Sequence, residues 1–313
     1  MVQRSLADSM PSGAGDTRRA LGGTDLGLFG ATVLVWGTTW LAVKYQVGIV
    51  DPQVSVLWRF VIAAPLMFIV CGLVGAKFRY PPRTHLSFAA YGLFGCCLNF
   101  ILFYNAAAYV VSGLLAVIFS LAALSNIALS MLFLGDPLRP RVMLGALLGL
   151  SGIGLMFWHE IDAASLGLSP LTGLGIGFLG CLSFSVANIV SARLRRDDVP
   201  AVAINAWGLL YGVIANFAFA LLSGSAFIIE PSTRYVLSLL WLALPGTVIA
   251  FWMYVSLLGR IGPDRAGYTA VLSPVLALIV STVVEDYRWS AIAIAGLVLV
   301  GLRNVLVLTR RKA

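Results

Sequence analysis

Trp36, Trp40 and Lys44 lie four residues apart, so on a helix they share one stripe. Such a stripe is either an aromatic wall ending in a cation that attracts a carboxylate, or an interfacial row of tryptophans with a lysine snorkelling to the headgroups. Arg59 is a second isolated cation in an apolar run. A charge at a bilayer centre costs about 2.5–3.5 kcal/mol on insertion scales, so it needs a partner: a solute, Asp51 or a helix end. Asn99 with Phe103, and Phe184 with Asn188, are again four apart. Asparagines within spans ordinarily bond between helices, worth about 0.6 kcal/mol on average, and contact with a polar solute is their alternative use. Tyr104, Trp207, Tyr211, Phe251, Trp252 and Tyr254 complete the candidates for a solute cavity. Their rings either pack helices together or stack on an aromatic solute and hold an ammonium, at about 0.5–2 kcal/mol per cation–π contact. Pro274 removes the helix bond to the Ala270 carbonyl and is a candidate gating kink.

The elements that position these residues follow from composition. Of 313 residues, 60% are apolar and 11% charged, and mean hydropathy is +0.95. A soluble chain carries roughly 25% charged residues, so a soluble enzyme, a disordered protein and a secreted disulfide scaffold are excluded. The natural solvent is a bilayer, which a helix crosses with about 20 apolar residues. Ten spans are expected, at 26–46, 54–74, 87–108, 113–134, 141–158, 171–192, 200–222, 235–258, 266–284 and 289–308. Residues 86–135 hold no charge, and as one helix they would run roughly 75 Å, over twice a hydrocarbon core. They must form a hairpin, with its turn at Tyr109–Gly113. The four cysteines sit in apolar runs without CxxC spacing and read as small packing residues.

Charge gives the orientation. With the N-terminus in the cytoplasm, 16 of the 21 lysines and arginines fall in inside segments and three outside, with Arg59 and Arg303 in spans. The bias alternates with every loop, as the positive-inside rule demands, and puts both termini in the cytoplasm. The net charge of +8 is therefore a topology signal and calls for no nucleic acid. Shifting the chain by about 150 residues lays Trp58 on Trp207, Tyr104 on Tyr254 and Asp136 on Asp286, and a shift of 148 lays residues 26–37 on 174–185. Five helices per repeat is an odd number, so the halves must run in opposite directions across the membrane, which is a transporter architecture. The expected fold is an all-α integral membrane protein of two inverted five-helix repeats. It comprises a disordered tail 1–24, repeats 25–158 and 171–309, a connecting loop 159–170 and a basic tail 310–313.

Trp36-Gly37-Thr38-Thr39-Trp40-Leu41-Ala42-Val43-Lys44 resembles the first helix of EamA-type carriers in the drug/metabolite transporter superfamily. Trp58-Arg59-Phe60-Val61-Ile62-Ala63 resembles their second helix, Gly135-Asp136 the end of the fourth, and Gly259-Arg260-Ile261-Gly262-Pro263 with Pro274 the eighth and ninth. Asp136 stands where the family has Glu, and Leu124 holds the first-half place of Pro274. The resemblance implies ten helices, with one to four and six to nine around a central cavity. Within the superfamily the chain is most similar to the YddG-type branch, exporters of aromatic and related amino acids.

The expected function is alternating-access export of neutral amino acids or similar metabolites. All thirteen acidic residues lie in tails, loops or helix ends, so no intramembrane proton relay is expected. That points to a facilitator or exchanger. A carrier of drugs or sugar phosphates is the rival, although phosphate would want two or more cavity cations. HExxH, GxSxG and DDxxD motifs are absent, which argues against a membrane-embedded enzyme. No cofactor or metal is expected; the partners are a small solute and membrane lipid. A monomer is the default, although the GxxxG spacings at Gly145/Gly149 and Gly173/Gly177 are close-packing seams open to dimerisation.

Overall fold

The computed structural model describes residues 22–134, 140–163, 169–266 and 268–308. These residues contain helices and no strand. The helices line up into rods α1 (Gly23–Lys44), α2 (Pro52–Leu73), α3 (Pro82–Ala106), α4 (Ser112–Phe119 and Ala122–Leu134), α5 (Pro140–Ala163), α6 (Ser169–Arg196), α7 (Ala201–Leu222), α8 (Thr233–Ala266 in three segments), α9 (Thr269–Val284) and α10 (Ala291–Leu308). Seven of them (α1, α2, α3, α4, α6, α7 and α8) contain stretches long and apolar enough to cross a membrane; α5, α9 and α10 carry shorter apolar stretches. The expected hairpin is present, its turn at 107–111. The tail to residue 21, the Gly135-Asp136 pair, and residues 164–168 and 309–313 lie outside the described residues, as does the side chain of Arg303.

Local chemistry sets the helix ends. Pro52 and Pro82 occupy first-turn positions, where the missing N–H would have had no helical partner in any case. Ser232 caps α8, its hydroxyl accepting from the Tyr235 N–H at 3.3 Å. α2 and α7 end alike: Gly75 (φ 70°) and Gly224 (φ 68°) are left-handed. The Ala76 N–H bonds to the Cys71 carbonyl and the Ser225 N–H to the Ala220 carbonyl, each at 3.0 Å. This is one capping motif twice, 149 positions apart.

A second irregularity repeats. α3 widens into a π-helical stretch at Gly92–Leu98 and α8 does so at Leu244–Ile249, 152 positions apart counted from 92 to 244. In α8 the cause is Pro245, which has no N–H to keep the α-helical bond register. Matching backbone defects support the repeat better than matching apolar residues, because any two membrane helices share the latter.

The halves interlock. α1 packs on α8, α9 and α4, α2 on α7 and α8, α3 on α6 and α7, and α4 on α6 and α9. α5 and α10 pair with each other at the rim. There a Cβ on Gly152 would lie 2.6 Å from the Gly296 carbonyl, and one on Gly296 would lie 2.5 Å from that of Gly152. Large apolar side chains such as Leu222 (88% exposed) face outward, as a lipid-facing surface requires. All four cysteines are buried and unbridged.

Candidate solute site between the two halves

Arg59 lies seven residues, about 10 Å, into α2 and is only 5% exposed. Its Nε donates to the Thr247 hydroxyl at 3.1 Å. That hydroxyl in turn donates to the Leu242 carbonyl, five residues back, at 2.7 Å. The span of five is the π-helical register, so the Pro245 irregularity both places Thr247 and fixes its hydroxyl as acceptor for Arg59. The guanidinium carbon sits 4.6 Å from the Phe100 ring centre and 5.6 Å from that of Phe60. Cation–π contacts of this kind return about 0.5–2 kcal/mol, less than the several kcal/mol lost per ion on leaving water. The Tyr104 hydroxyl neighbours the guanidinium but has no regular hydrogen bond. Among the described residues no carboxylate lies within 4.0 Å of Arg59, and Asp51 is not its partner.

About one turn along α3 from Phe100, Phe103 meets Trp40 of α1 at 5.3 Å between ring centres, and Trp40 meets Phe119 of α4 at 5.5 Å. Phe119 in turn meets Phe184 of α6 at 5.0 Å. Trp40, Phe119 and Phe184 remain only half-buried although helices surround them. Phe119 ends the first segment of α4; at the interruption Ser120 shares its N–H between the Ala116 and Val117 carbonyls. Deeper along α6, Asn188 donates to Asn126 of α4 at 3.1 Å, the interhelical bond that asparagines commonly make. Asn99 is buried with its Oδ1 unpartnered; its amide reaches only the Gly95 carbonyl, at 3.5 Å.

The remaining candidates separate. Trp36 packs on Tyr254 at 5.0 Å, between α1 and α8, and Phe251 is half-buried against the main core. Trp252 is 53% exposed and turns away from that core. Trp207 and Tyr211 form another cluster, around His85. The Tyr211 hydroxyl lies 3.1 Å from His85 Nδ1, and Trp207 stands edge-on to the imidazole at 4.5 Å. Pro274 is buried, and α9 runs helically through it.

Lys44 is already engaged. Its Nζ donates to the Ala107 carbonyl at 2.6 Å and the Val110 carbonyl at 3.0 Å. Across the same turn, Glu285 at the end of α9 accepts from the Ser112 N–H at 3.0 Å and from the Ser112 hydroxyl. Lys44 and Glu285 thus clamp the α3–α4 turn from two sides. At the opposite face Arg260 Nε donates to Asp25 at 2.5 Å, tying α8 to α1.

Sequence spacing brought Trp40, Arg59, Phe103, Tyr104 and Phe184 into consideration but missed Phe100, Phe119 and Thr247. A signal existed for two of them. Phe100 and Tyr104 are four apart, and Pro245 inside the eighth span marks an irregular turn.

A polytopic helical bundle of two interlocked, irregularity-matched halves, with a half-buried polar and aromatic centre, defines a membrane carrier. The chain belongs to the EamA-like transporter family, whose model matches residues 25–158 and 171–308, in the drug/metabolite transporter superfamily. It is 25% identical over 293 residues to a "Probable amino-acid metabolite efflux pump" of Escherichia coli (strain K12), covering 90% of this chain and 94% of that one. It is 28% identical to the "Uncharacterized inner membrane transporter YedA" of the same organism, covering 82% of each. A crystal structure 19% identical in sequence superimposes with a TM-score of 0.65, covering 91% of this chain and 96% of that one, a likeness of fold.

Proposed function

We propose that the protein exports neutral amino acids, aromatic ones among them, or related small metabolites across the inner membrane. The observation that carries the reading is the ring cluster of Trp40, Phe103, Phe119 and Phe184, drawn from α1, α3 and α4 of one half and α6 of the other. Rings that span both halves feel their relative motion, so a solute stacked among them biases the two access states, as alternating access requires. The names of the relatives agree with a metabolite cargo. Ten crossings with both termini cytoplasmic complete the arrangement.

Transport runs as facilitated diffusion or exchange. The acidic residues Asp25 and Glu285 sit at helix ends and are engaged there, and among the described residues no carboxylate is found with the rings to relay a proton. A sugar-phosphate cargo fits less well, because Lys44 is bonded to two carbonyls and phosphate recognition wants several free cations.

The test is counterflow of labelled phenylalanine or threonine into proteoliposomes loaded with the unlabelled amino acid, at zero potential and zero pH gradient. Uptake above empty liposomes is expected and is insensitive to a protonophore. No counterflow with any amino acid, in folded protein, overturns the cargo. Abolition by a protonophore at a fixed solute gradient overturns the facilitator or exchanger mode.

A further inference from the structure

From the geometry around Arg59 we infer that its guanidinium binds the carboxylate of the solute. It holds the carboxylate of a zwitterionic or monoanionic solute while the solute's apolar part lies among the neighbouring rings. This rests on the reading above and specifies how the cargo is recognised.

Arg59 is oriented by one edge. Its Nε is spent on Thr247, whose own proton is committed to Leu242, and Phe100 covers one face. Apart from the Tyr104 hydroxyl that faces the guanidinium, the Nη nitrogens meet no acceptor among the described residues. A buried guanidinium held by Nε, with more Nη N–H donors than the neighbouring Tyr104 hydroxyl can accept, presents paired donors that match a carboxylate. α3 carries two buried polar atoms without a regular hydrogen bond, the Asn99 Oδ1 and the Tyr104 hydroxyl. Tyr104 faces the guanidinium.

The site is single although the fold is repeated. The shift that lays Trp58 on Trp207 lays Arg59 on Gly208, where a Cβ would meet the Tyr91 ring at 2.3 Å. The second half therefore fills its equivalent position with an aromatic ring. The first half's other candidate, Lys44, is bonded to the α3–α4 turn. A buried cation with no carboxylate within 4.0 Å among the described residues selects one carboxylate. It gives no counter-ion to an amine that lacks one, and too little charge for a phosphate dianion.

The experiment measures binding to the purified, full-length protein by scintillation proximity with labelled phenylalanine. The competitors are phenylpropionate (carboxylate without amine), phenethylamine (amine without carboxylate) and phenylalanine methyl ester. Phenylpropionate is expected to compete within tenfold of phenylalanine, and the amine and ester at least tenfold more weakly. Arg59→Gln is expected to weaken phenylalanine at least tenfold and Arg59→Lys to restore part of it, with Leu222→Ala as an outward-facing control. If Arg59→Gln fails to fold, the competitor series alone decides. Equal competition by phenethylamine, or unchanged affinity in a folded Arg59→Gln, overturns the inference and leaves amino-acid export standing. If phenylalanine does not bind, labelled phenylpropionate serves as the probe. Its binding, lost in Arg59→Gln, overturns the amino-acid cargo and upholds the carboxylate site, and absence of all carboxylate binding overturns both.

Discussion

Lys44 reaches 63 positions along the chain to place its ammonium 2.6 Å from the carbonyl oxygen of Ala107. With a second bond to Val110 and Glu285 on Ser112, it pins α1 and α9 to the turn between α3 and α4. A hydrogen bond to a charged group contributes about 1.5–3 kcal/mol, enough to bias an opening equilibrium more than tenfold. Lys44→Met is therefore expected to expose this turn. With the native cysteines buried, a cysteine placed at Val111 reports on it: labelling by an impermeant maleimide should speed up at least fivefold. Equal rates with and without Lys44 would show that the clamp does not hold the turn.

The aromatic side chains divide by the face they occupy. Trp40→Ala removes a ring that touches both α3 and α4, and amino-acid counterflow is expected to fall at least tenfold. Trp252→Ala removes a half-exposed ring and should leave counterflow within twofold. The reverse order in the same liposome assay would overturn the site assignment.

Gly152 and Gly296 hold α5 against α10 by mutual backbone approach. Gly296→Val forces those helices apart, and overpacking of this kind costs typically 1–3 kcal/mol. Gly154, two residues beyond Gly152 and so on the opposite face of α5, has nothing within 4 Å of an added Cβ. Gly154→Ala should be neutral or stabilising by up to about 1 kcal/mol, the helix-propensity difference. Thermal unfolding in detergent compares the two, and equal melting temperatures would deny the glycine contact its structural role.

The Asp25–Arg260 tie is asymmetric, its side chains being 6% and 43% exposed. Arg260→Gln is expected to destabilise by under about 1 kcal/mol, as for solvent-screened pairs. Asp25→Ala also removes the acceptor of the Gly22 N–H at 3.1 Å, a capping contribution of about 0.5–2 kcal/mol, and should lower the melting temperature more. Equal losses from the two variants would mean that the cap adds nothing to the pair.

How much of this was legible in the sequence depends on how local each feature is. Helix ends at Pro52, Pro82 and Gly75 are set by one or two residues, and the expected spans fall within a few residues of the observed rods except where α8 runs on to Ala266. The central site was legible only as a set of residue types. Trp40 and Trp252 look alike in the sequence as aromatics within spans, yet one lies among rings and the other outside. The sequence offered Arg59 a solute, Asp51 or a helix end; the side chain it bonds, Thr247, was none of these and is 188 positions away.

The sequence by itself determined that the chain is a helical membrane protein built as two related halves. That much is one-dimensional: a bilayer demands about 20 apolar residues per crossing, and seven stretches meet the demand on their own. Only the tertiary structure decided which face of each helix turns inward. In water an apolar stripe marks that face, but lipid is as apolar as a protein core, so the stripe carries little information here. The roles of Lys44 as a clamp on backbone carbonyls and of Arg59 as a cation oriented by Thr247 arise where distant helices cross, and no local pattern encodes those crossings.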